Sequence, residues 1–288
     1  MTVSKITGVV PILITPFDLQ GRIDVDSLQN LIDFNINSGV HGIGIANGSE
    51  IFKLNESERK LVTKIVVDHV AGRVPVIINT GAHGTALAIQ YSKSAQEQGA
   101  DGLMIIPPHF FPVGIKQVAD YYEAIDSEIT IPIFLQDIPQ SPISPSLALE
   151  LAKKCKNISY IKVETSPIAT KVFQMVDATK DVLTIFGGAG GSYFIEEMRR
   201  GAKGTMPFCS QPKEFVEVWN LFQKGDEEEA INIFNKFIVP MSRLEIQTND
   251  LCYHLHKQFL VKLGVIKTSH VRGPTMLPDP ISQSEIDE

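Results

Sequence analysis

Eight short apolar runs recur along the chain, each closed by Gly, Pro or Asn, and the segments between them show helical period. The runs are Val9–Phe17, Gly42–Gly48, Pro75–Gly81, Gly102–His109, Pro132–Pro139, Ile158–Glu164, Leu183–Gly188 and Gly204–Phe208. Segments such as Ser27–Ser38, Glu56–Val70, Leu87–Gln98 and Ser146–Lys154 read as amphipathic helices. Leu28, Leu31, Ile32 and Ile36 fall at helical spacing, as do Leu61, Ile65 and Val66. Gly39, Gly72, Gly99 and Gly201 supply C-terminal stops. Strands joined through helices run parallel, and eight such units close most economically as a (β/α)8 barrel. A doubly wound open sheet is the structural alternative, but no G-x-G-x-x-G follows the first run.

The pattern changes after Phe208. Phe215–Gln223, Glu227–Glu245 and Leu251–Leu263 read as purely helical, and the tail from Thr268, with Pro274, Pro278 and Pro280, reads as irregular. Residues 1–210 are therefore expected to form the barrel. Residues 211–288 add its final helix, a C-terminal helical segment and the tail, all within one structural domain. A length of 288 residues, 43% apolar, suits one α/β barrel and excludes disorder across the whole chain. Trp219, between Phe215 and Phe222, is expected to fill an interface between the extra helices and the barrel. Arg243, Glu245 and Gln247 are expected to form a capping or packing cluster.

Charge and cysteine usage narrow the class of partner. Against 26 basic residues stand 33 acidic ones, for a net charge of −7 without a basic block, which gives no footprint for nucleic acid or anionic lipid. Cys155, Cys209 and Cys252 are odd in number and far apart, as suits a reducing cytosol. Lys5 before the run Gly8–Phe17 looks like a short signal sequence. Pro11 and Pro16 interrupt it, no small-residue cleavage site follows, and Asp18–Gly21 reads as a turn. No stretch approaches about 18 uninterrupted apolar residues. A soluble, cytoplasmic protein with no membrane contact is expected.

Side chains in a barrel alternate between the interior and the helix layer. Along Ile158–Glu164 the apolar Ile161 and Val163 suit the helix side, so Tyr160, Lys162 and Glu164 face inward. Lys162 is the only lysine or arginine in the eight runs. An ammonium inside a barrel is costly unless paired. A desolvated lysine loses its proton more readily and becomes an amine nucleophile for carbonyl substrates, at the strand end where barrels place their chemistry. The structural alternative pairs Lys162 with Glu164, or sends it out to water. A tight pair would favour the ammonium, which cannot attack.

Val10-Pro11-Ile12-Leu13-Ile14-Thr15-Pro16-Phe17 and Glu50 followed by Leu54-Asn55-Glu56-Ser57-Glu58-Arg59 carry a family resemblance. Thr80-Gly81-Ala82, Asp101-Gly102 leading to Pro107-Pro108, Ile161-Lys162, and Arg200-Gly201-Ala202 leading to Gly204-Thr205 extend it. Each motif is weak alone, and in this order they are specific. From about Gly8 to Gly264 the chain resembles the dihydrodipicolinate synthase and N-acetylneuraminate lyase family of Schiff-base (class I) aldolases, as a divergent member. The resemblance implies that Lys162 forms an imine with pyruvate or a related 2-keto acid. It also implies a homotetramer that needs no metal or organic cofactor.

The departures bear on substrate and mechanism. The family's G-T-T-G-E loop, which holds the pyruvate carboxylate, reads Ala46-Asn47-Gly48-Ser49-Glu50 here. The Ser49 hydroxyl and backbone N–H groups of Asn47 and Gly48 are the expected replacements. Where the family has Y-N-x-P, with its proton-relaying tyrosine, stands Gln136-Asp137-Ile138-Pro139. Glutamine can hydrogen-bond a substrate but cannot titrate. The tyrosine pair after the fourth strand is replaced by His109-Phe110. The arginine that anchors the aldehyde substrate's carboxylate in true dihydrodipicolinate synthases is replaced by Ser141. His109 becomes a candidate proton carrier because histidine titrates near neutrality, with Glu164, Asp137 and water as others.

The candidate catalytic residues are thus Lys162, Gln136 and His109. Asn47, Gly48, Ser49, Glu164, Gly187 and Gly188 are candidates for substrate binding. Gln136 suits a hydroxyl of a sugar-derived keto acid, which favours a deoxy-keto-acid aldolase or dehydratase. The alternatives are a genuine 4-hydroxy-tetrahydrodipicolinate synthase with a substituted relay and a non-catalytic member that binds a keto acid. Gly187-Gly188-Ala189-Gly190-Gly191, after the seventh strand, is a candidate loop for a phosphate group or a flavin, or else a close approach of backbone to the pocket. His254 and His256, two apart on a helix, point to different faces, and no metal site is expected.

Overall fold

The computed structural model describes residues 5–111, 113–248 and 250–288. Among these residues eight parallel strands form one sheet: β1 (Gly8–Val9), β2 (Ile43–Ile45), β3 (Val76–Asn79), β4 (Gly102–Ile105), β5 (Ile133–Asp137), β6 (Ile158–Val163), β7 (Thr184–Gly187) and β8 (Gly204–Thr205). They pair in the order β1-β8-β7-β6-β5-β4-β3-β2. Ile12 bridges both Gly44 and Phe208, and the Gly44 N–H donates to the Pro11 carbonyl at 2.8 Å, so the ring closes between β1 and β2. The first strand is shorter than its apolar run. Pro11 and Pro16 carry no N–H, so beyond Val9 the run is held by single bridges at Ile12 and Phe17. Asp18–Gly21 is a turn, with the Gly21 N–H on the Asp18 carbonyl at 2.9 Å.

Helices α1 (Val25–Asn37), α2 (Glu56–Val70), α3 (Thr85–Glu97), α4 (Ile115–Asp126), α5 (Pro145–Lys154), α6 (Ile168–Thr179), α7 (Phe194–Arg199) and α8 (Pro212–Lys224) follow the strands. Their starts are written in the sequence. Asp24 caps α1 through the Ser27 N–H, Asn55 and Glu58 form a reciprocal capping box at α2, and Ser144 caps α5 with Pro145 in the first turn. Gly39, with a φ of +86°, takes the left-handed step after α1 that a Cβ would strain.

Alternation along the strands makes two cores. Ile6, Val10, Ile12, Ala46, Ile77, Met104, Phe134, Tyr160, Phe186 and Met206 fill the barrel, while Ile161 and Val163 join the layer beneath the helices. Tyr160 stacks on Phe134 with ring centroids 4.1 Å apart, a pair worth roughly 0.5–1.5 kcal/mol beyond its burial. This aromatic plug closes the barrel below Lys162. Trp219 stacks on Phe194 of α7 and lies edge-on to His41, so it seals α8 against the rest of the barrel. The apolar stripe of α8 that carries Trp219 belongs to the last barrel helix.

Beyond α8 lie α9 (Glu227–Ile233), a π-turn at Phe234–Ile238, α10 (Val239–Glu245) and α11 (Leu251–Lys262). The single helix expected over Glu227–Glu245 is widened in the middle, because Pro240 offers no N–H to the Lys236 carbonyl and its ring needs space. Arg243, Glu245 and Gln247 do not act as one cluster. Glu245 bonds His256, whereas Gln247 bonds Glu285 and Ser282. The tail is not irregular to its end, since Pro280–Asp287 forms α12. Asp279 accepts from the Ile281 and Ser282 N–H groups, and Pro280 sits in the first turn, where its missing N–H costs nothing. Among the described residues no helix is long and apolar enough to cross a membrane.

Candidate active site

Lys162 reaches the barrel interior because β6 alternates cleanly. Its neighbours Ile161 and Val163 are fully buried on the helix side. The register sets Lys162 beside Gln136 of β5 and Phe186 of β7. Its Nζ lies 3.0 Å from Glu164 Oε1, and the lysine is 5% exposed. Both residues line a cavity of about 300 Å3 at the C-terminal ends of the strands, together with Asn47, Gly48, Gln136, Gln140, Ala189, Gly190 and Tyr253. Lys162 is the only lysine or arginine among the described residues that line it.

A fixed chain of amides holds the carboxylate. Asn79 Nδ2 donates to Gln136 Oε1 at 3.0 Å, and Gln136 Nε2 donates to Glu164 Oε2 at 3.0 Å. The Ala189 N–H donates to the other Glu164 oxygen at 3.2 Å. Each bond removes a rotameric choice, so the carboxylate is oriented before any substrate enters. Asn79, at the end of β3, is a site residue that the sequence pattern did not single out.

The β2 turn is built differently from the expectation. Ser49 is fully buried, its hydroxyl donates to the Leu13 carbonyl, and it accepts from the Ala46 N–H at 3.0 Å. The hydroxyl therefore braces the turn and does not point into the cavity. Asn47 and Gly48 do line it, and a 3-10 turn leaves its leading N–H groups without internal acceptors. Behind the turn, Glu50 takes a left-handed conformation with φ of +55° and bonds Lys257 Nζ at 2.5 Å and Lys53 Nζ at 3.1 Å. Burial pulls the Lys257 ammonium down to about 8, with the Glu50 carboxylate opposing that shift.

Gly187 and Gly188 are backbone spacers, not cavity wall. A Cβ on Gly187 would lie 1.6 Å from Glu197 Oε2, and one on Gly188 would lie 2.3 Å from Glu164 Cγ. Ala189 and Gly190 line the cavity instead. Glu245 Oε1 occupies the space beside Gly190, so three carboxyl side chains crowd this glycine turn. Such crowding disfavours a phosphate there.

The remaining candidates lie apart. His109 is exposed, 4.6 Å from His83 between ring centroids, and lines an adjoining cavity of about 370 Å3 with Arg59 and Tyr91. It does not reach Lys162's cavity. Asp137 is buried on the helix side, where it holds Lys171 Nζ at 2.6 Å and accepts from the Ile143 and Thr165 N–H groups. His254 bonds Thr275, while His256 bonds Ser210 and Glu245.

Tyr253 of α11 is the other residue missed. Its hydroxyl donates to the Asn47 carbonyl at 3.1 Å, and burial raises it so that it stays protonated. A tyrosine at this position signals only an amphipathic helix in sequence, because its contact with Asn47 spans most of the chain.

Comparison with known proteins identifies relatives of the whole chain. The model of the dihydrodipicolinate synthetase family matches residues 5–286. An L-2-keto-3-deoxyarabonate dehydratase of Azospirillum brasilense is 28% identical over 97% of this chain and 92% of its own. A 4-hydroxy-tetrahydrodipicolinate synthase of Clostridium tetani is 30% identical over 87% of this chain and 86% of its own. A solved dihydrodipicolinate synthase superposes with a TM-score of 0.90 at 30% identity, covering 98% of this chain and 96% of that one.

Proposed function

The chain belongs to the dihydrodipicolinate synthetase family and is an aldolase-type lyase of keto acids, and from that premise we propose that it dehydrates a 3-deoxy-2-keto sugar acid through an imine on Lys162. The observation that carries this reading is the Glu164 carboxylate, held 3.0 Å from Lys162 Nζ by Gln136, which stands where the family's proton-relaying tyrosine would be. At rest this tight pair favours the lysine ammonium, so Glu164 must first act as the base that frees the amine, and it then supplies the acid and base that glutamine cannot.

Glu164 takes a proton from the Lys162 ammonium, and the freed amine attacks C2 of the keto acid. The keto oxygen leaves as water with one proton from the nitrogen and one from Glu164, giving an iminium and a Glu164 carboxylate. Glu164 takes a C3 proton, the C–H electron pair becomes the C2–C3 double bond, and the C=N pair withdraws onto nitrogen to give an enamine. The enamine pair then forms the C3–C4 double bond while the C4 hydroxyl departs with the proton from Glu164 as water. Hydrolysis by one water frees Lys162, so the net change is loss of one water. The leading N–H groups of Asn47 and Gly48 hold the substrate carboxylate, and Tyr253 covers it.

The cavity also favours a substrate with one carboxylate. Besides Lys162, no described lining residue could balance a second one, and Gln136 and Gln140 suit hydroxyls. Condensation with a charged aldehyde is thereby disfavoured. The reading needs no cofactor, because the iminium is the electron sink. A cytoplasmic location fits the buried thiols of Cys155 and Cys209, which burial raises to about 12. A homo-oligomer fits the exposed Phe52, Phe110, Phe111 and Ile115.

The test is a substrate screen read by mass spectrometry of the products. Five- and six-carbon 3-deoxy-2-keto acids should lose one water. Pyruvate release from the same compounds would show aldol cleavage instead, and rapid turnover of aspartate semialdehyde with pyruvate would show a synthase.

A further inference from the structure

Glu197 on α7 is fully buried, and neither of its carboxyl oxygens has a hydrogen-bond partner of good geometry among the described residues. Thr205 of β8, the register partner of Gly187, is buried with an unpartnered hydroxyl as well. A buried carboxyl without partners contributes nothing to folding that an apolar side chain of the same shape would not do better. Its position suggests another use. Gly187 is cut back to the backbone on the side where Glu197 sits, and Gly188 is cut back on the side where Glu164 sits. Two carboxyl groups therefore approach one peptide turn from opposite faces, with the Ala189 N–H bound to Glu164 and the Gly188 N–H facing Glu197.

We propose that Glu197 is a positioning residue for the Lys162–Glu164 pair: uncharged, it permits Lys162 to react, and once ionised it arrests imine formation from behind the Gly187–Gly188 turn. The proposal rests on the reading of Lys162 as the imine-forming residue. A second negative charge beside the pair favours the lysine ammonium, which has no lone pair for attack. Burial first, then the neighbouring Glu196 and Glu164 carboxylates, push Glu197 up to about 8, while Lys162 and the Gly188 N–H oppose the shift. Other charges nearby are engaged elsewhere. Lys171 of α6 turns to Asp137, and Arg199 of α7 turns outward to Glu227.

The experiment compares wild type with Glu197→Gln, which keeps the shape and cannot ionise, and with Glu197→Leu. The rate of borohydride-trapped adduct with pyruvate is followed from about pH 6 to about pH 9.5, alongside Tm at each pH. The expected Gln-to-wild-type rate ratio is near one at neutral pH and rises about threefold or more near pH 9. The Tm difference in favour of Gln should widen up to about pH 8 and level off above it. A flat rate ratio with adduct still forming on Lys162 overturns this proposal alone. No adduct on wild-type Lys162 with any keto acid overturns the imine reading and this one with it, while the Tm arm still reports whether Glu197 ionises. Folded Glu197→Leu, with no charge to gain, should match Gln in lacking the alkaline loss. If it keeps that loss, Glu197 is not its source.

Discussion

Asn79 Nδ2 donates to Gln136 Oε1 at 3.0 Å across the width of β4, joining two strands that are not neighbours in the sheet. The bond fixes which end of the Gln136 amide faces Glu164. Asn79→Ala leaves Gln136 free to flip and present oxygen to the carboxylate, which repels it. We expect kcat to fall by about 10²-fold with a much smaller change in KM, because misplacement of an acid–base group is felt in the transition state. Steady-state kinetics on the dehydration substrate checks this, and Asn79→Asp, which removes the donor at nearly constant volume, should behave alike.

Gly188→Ala places a methyl group where the Glu164 side chain now lies, 2.3 Å from its Cγ. The strand end can relax only by moving Glu164 away from Lys162 and Gln136. Activity should drop roughly tenfold or more with the fold intact, since the displaced group is a partly exposed side chain. Circular dichroism together with kcat separates this from general unfolding.

Lys257 is fully buried, bonded to Glu50 and to the His270 carbonyl, and its ammonium lies 4.5 Å from the centroid of the Phe17 ring. It ties the C-terminal segment to the turn that carries Asn47 and Gly48. Lys257→Met should destabilise the protein by about 3 kcal/mol, because Glu50 is left buried with Lys53 alone. Urea unfolding measures it, and Glu50→Gln added to Lys257→Met should recover part of the loss.

Glu197 predicts a slope in stability against pH. Its native value of about 8 stands above the ordinary 4.5, so the folded state holds a proton that the unfolded state has released between those values. Its contribution is therefore fully present below about pH 4.5 and is lost as pH rises toward about 8, on the order of 1 kcal/mol per pH unit. Other groups superimpose their own slopes, so the readout is the difference between wild type and Glu197→Gln in urea unfolding. The variant should gain on wild type across this window and hold a constant margin above it.

How much of this was legible in the sequence depended on the range of the physics involved. Lys162 could be read from strand alternation alone, since a charged residue among Ile161 and Val163 has one side of a barrel strand to occupy. The helix starts at Asp24, Asn55 and Ser144 were equally local. Asn79 was not legible, because its partner Gln136 is set by register across an intervening strand. Tyr253 was hidden for the same reason, its contact with Asn47 arising only once α11 folds over the barrel. Ser49 misled because a hydroxyl in a turn reads as a ligand group, and only the structure reveals that the Leu13 carbonyl and the Ala46 N–H consume it. The helix at Pro280–Asp287 has a local signal, Asp279 followed by proline, but three prolines within seven residues also fit an irregular tail.

Covalent trapping asks whether Lys162 is the nucleophile. Wild-type protein would be incubated with pyruvate and with a five-carbon 3-deoxy-2-keto acid, reduced with borohydride, digested and sequenced by mass spectrometry. One adduct per chain is expected, on the peptide holding Lys162, and none in Lys162→Met. An adduct on another lysine, or dehydration that persists in Lys162→Met, would overturn Lys162 as the nucleophile.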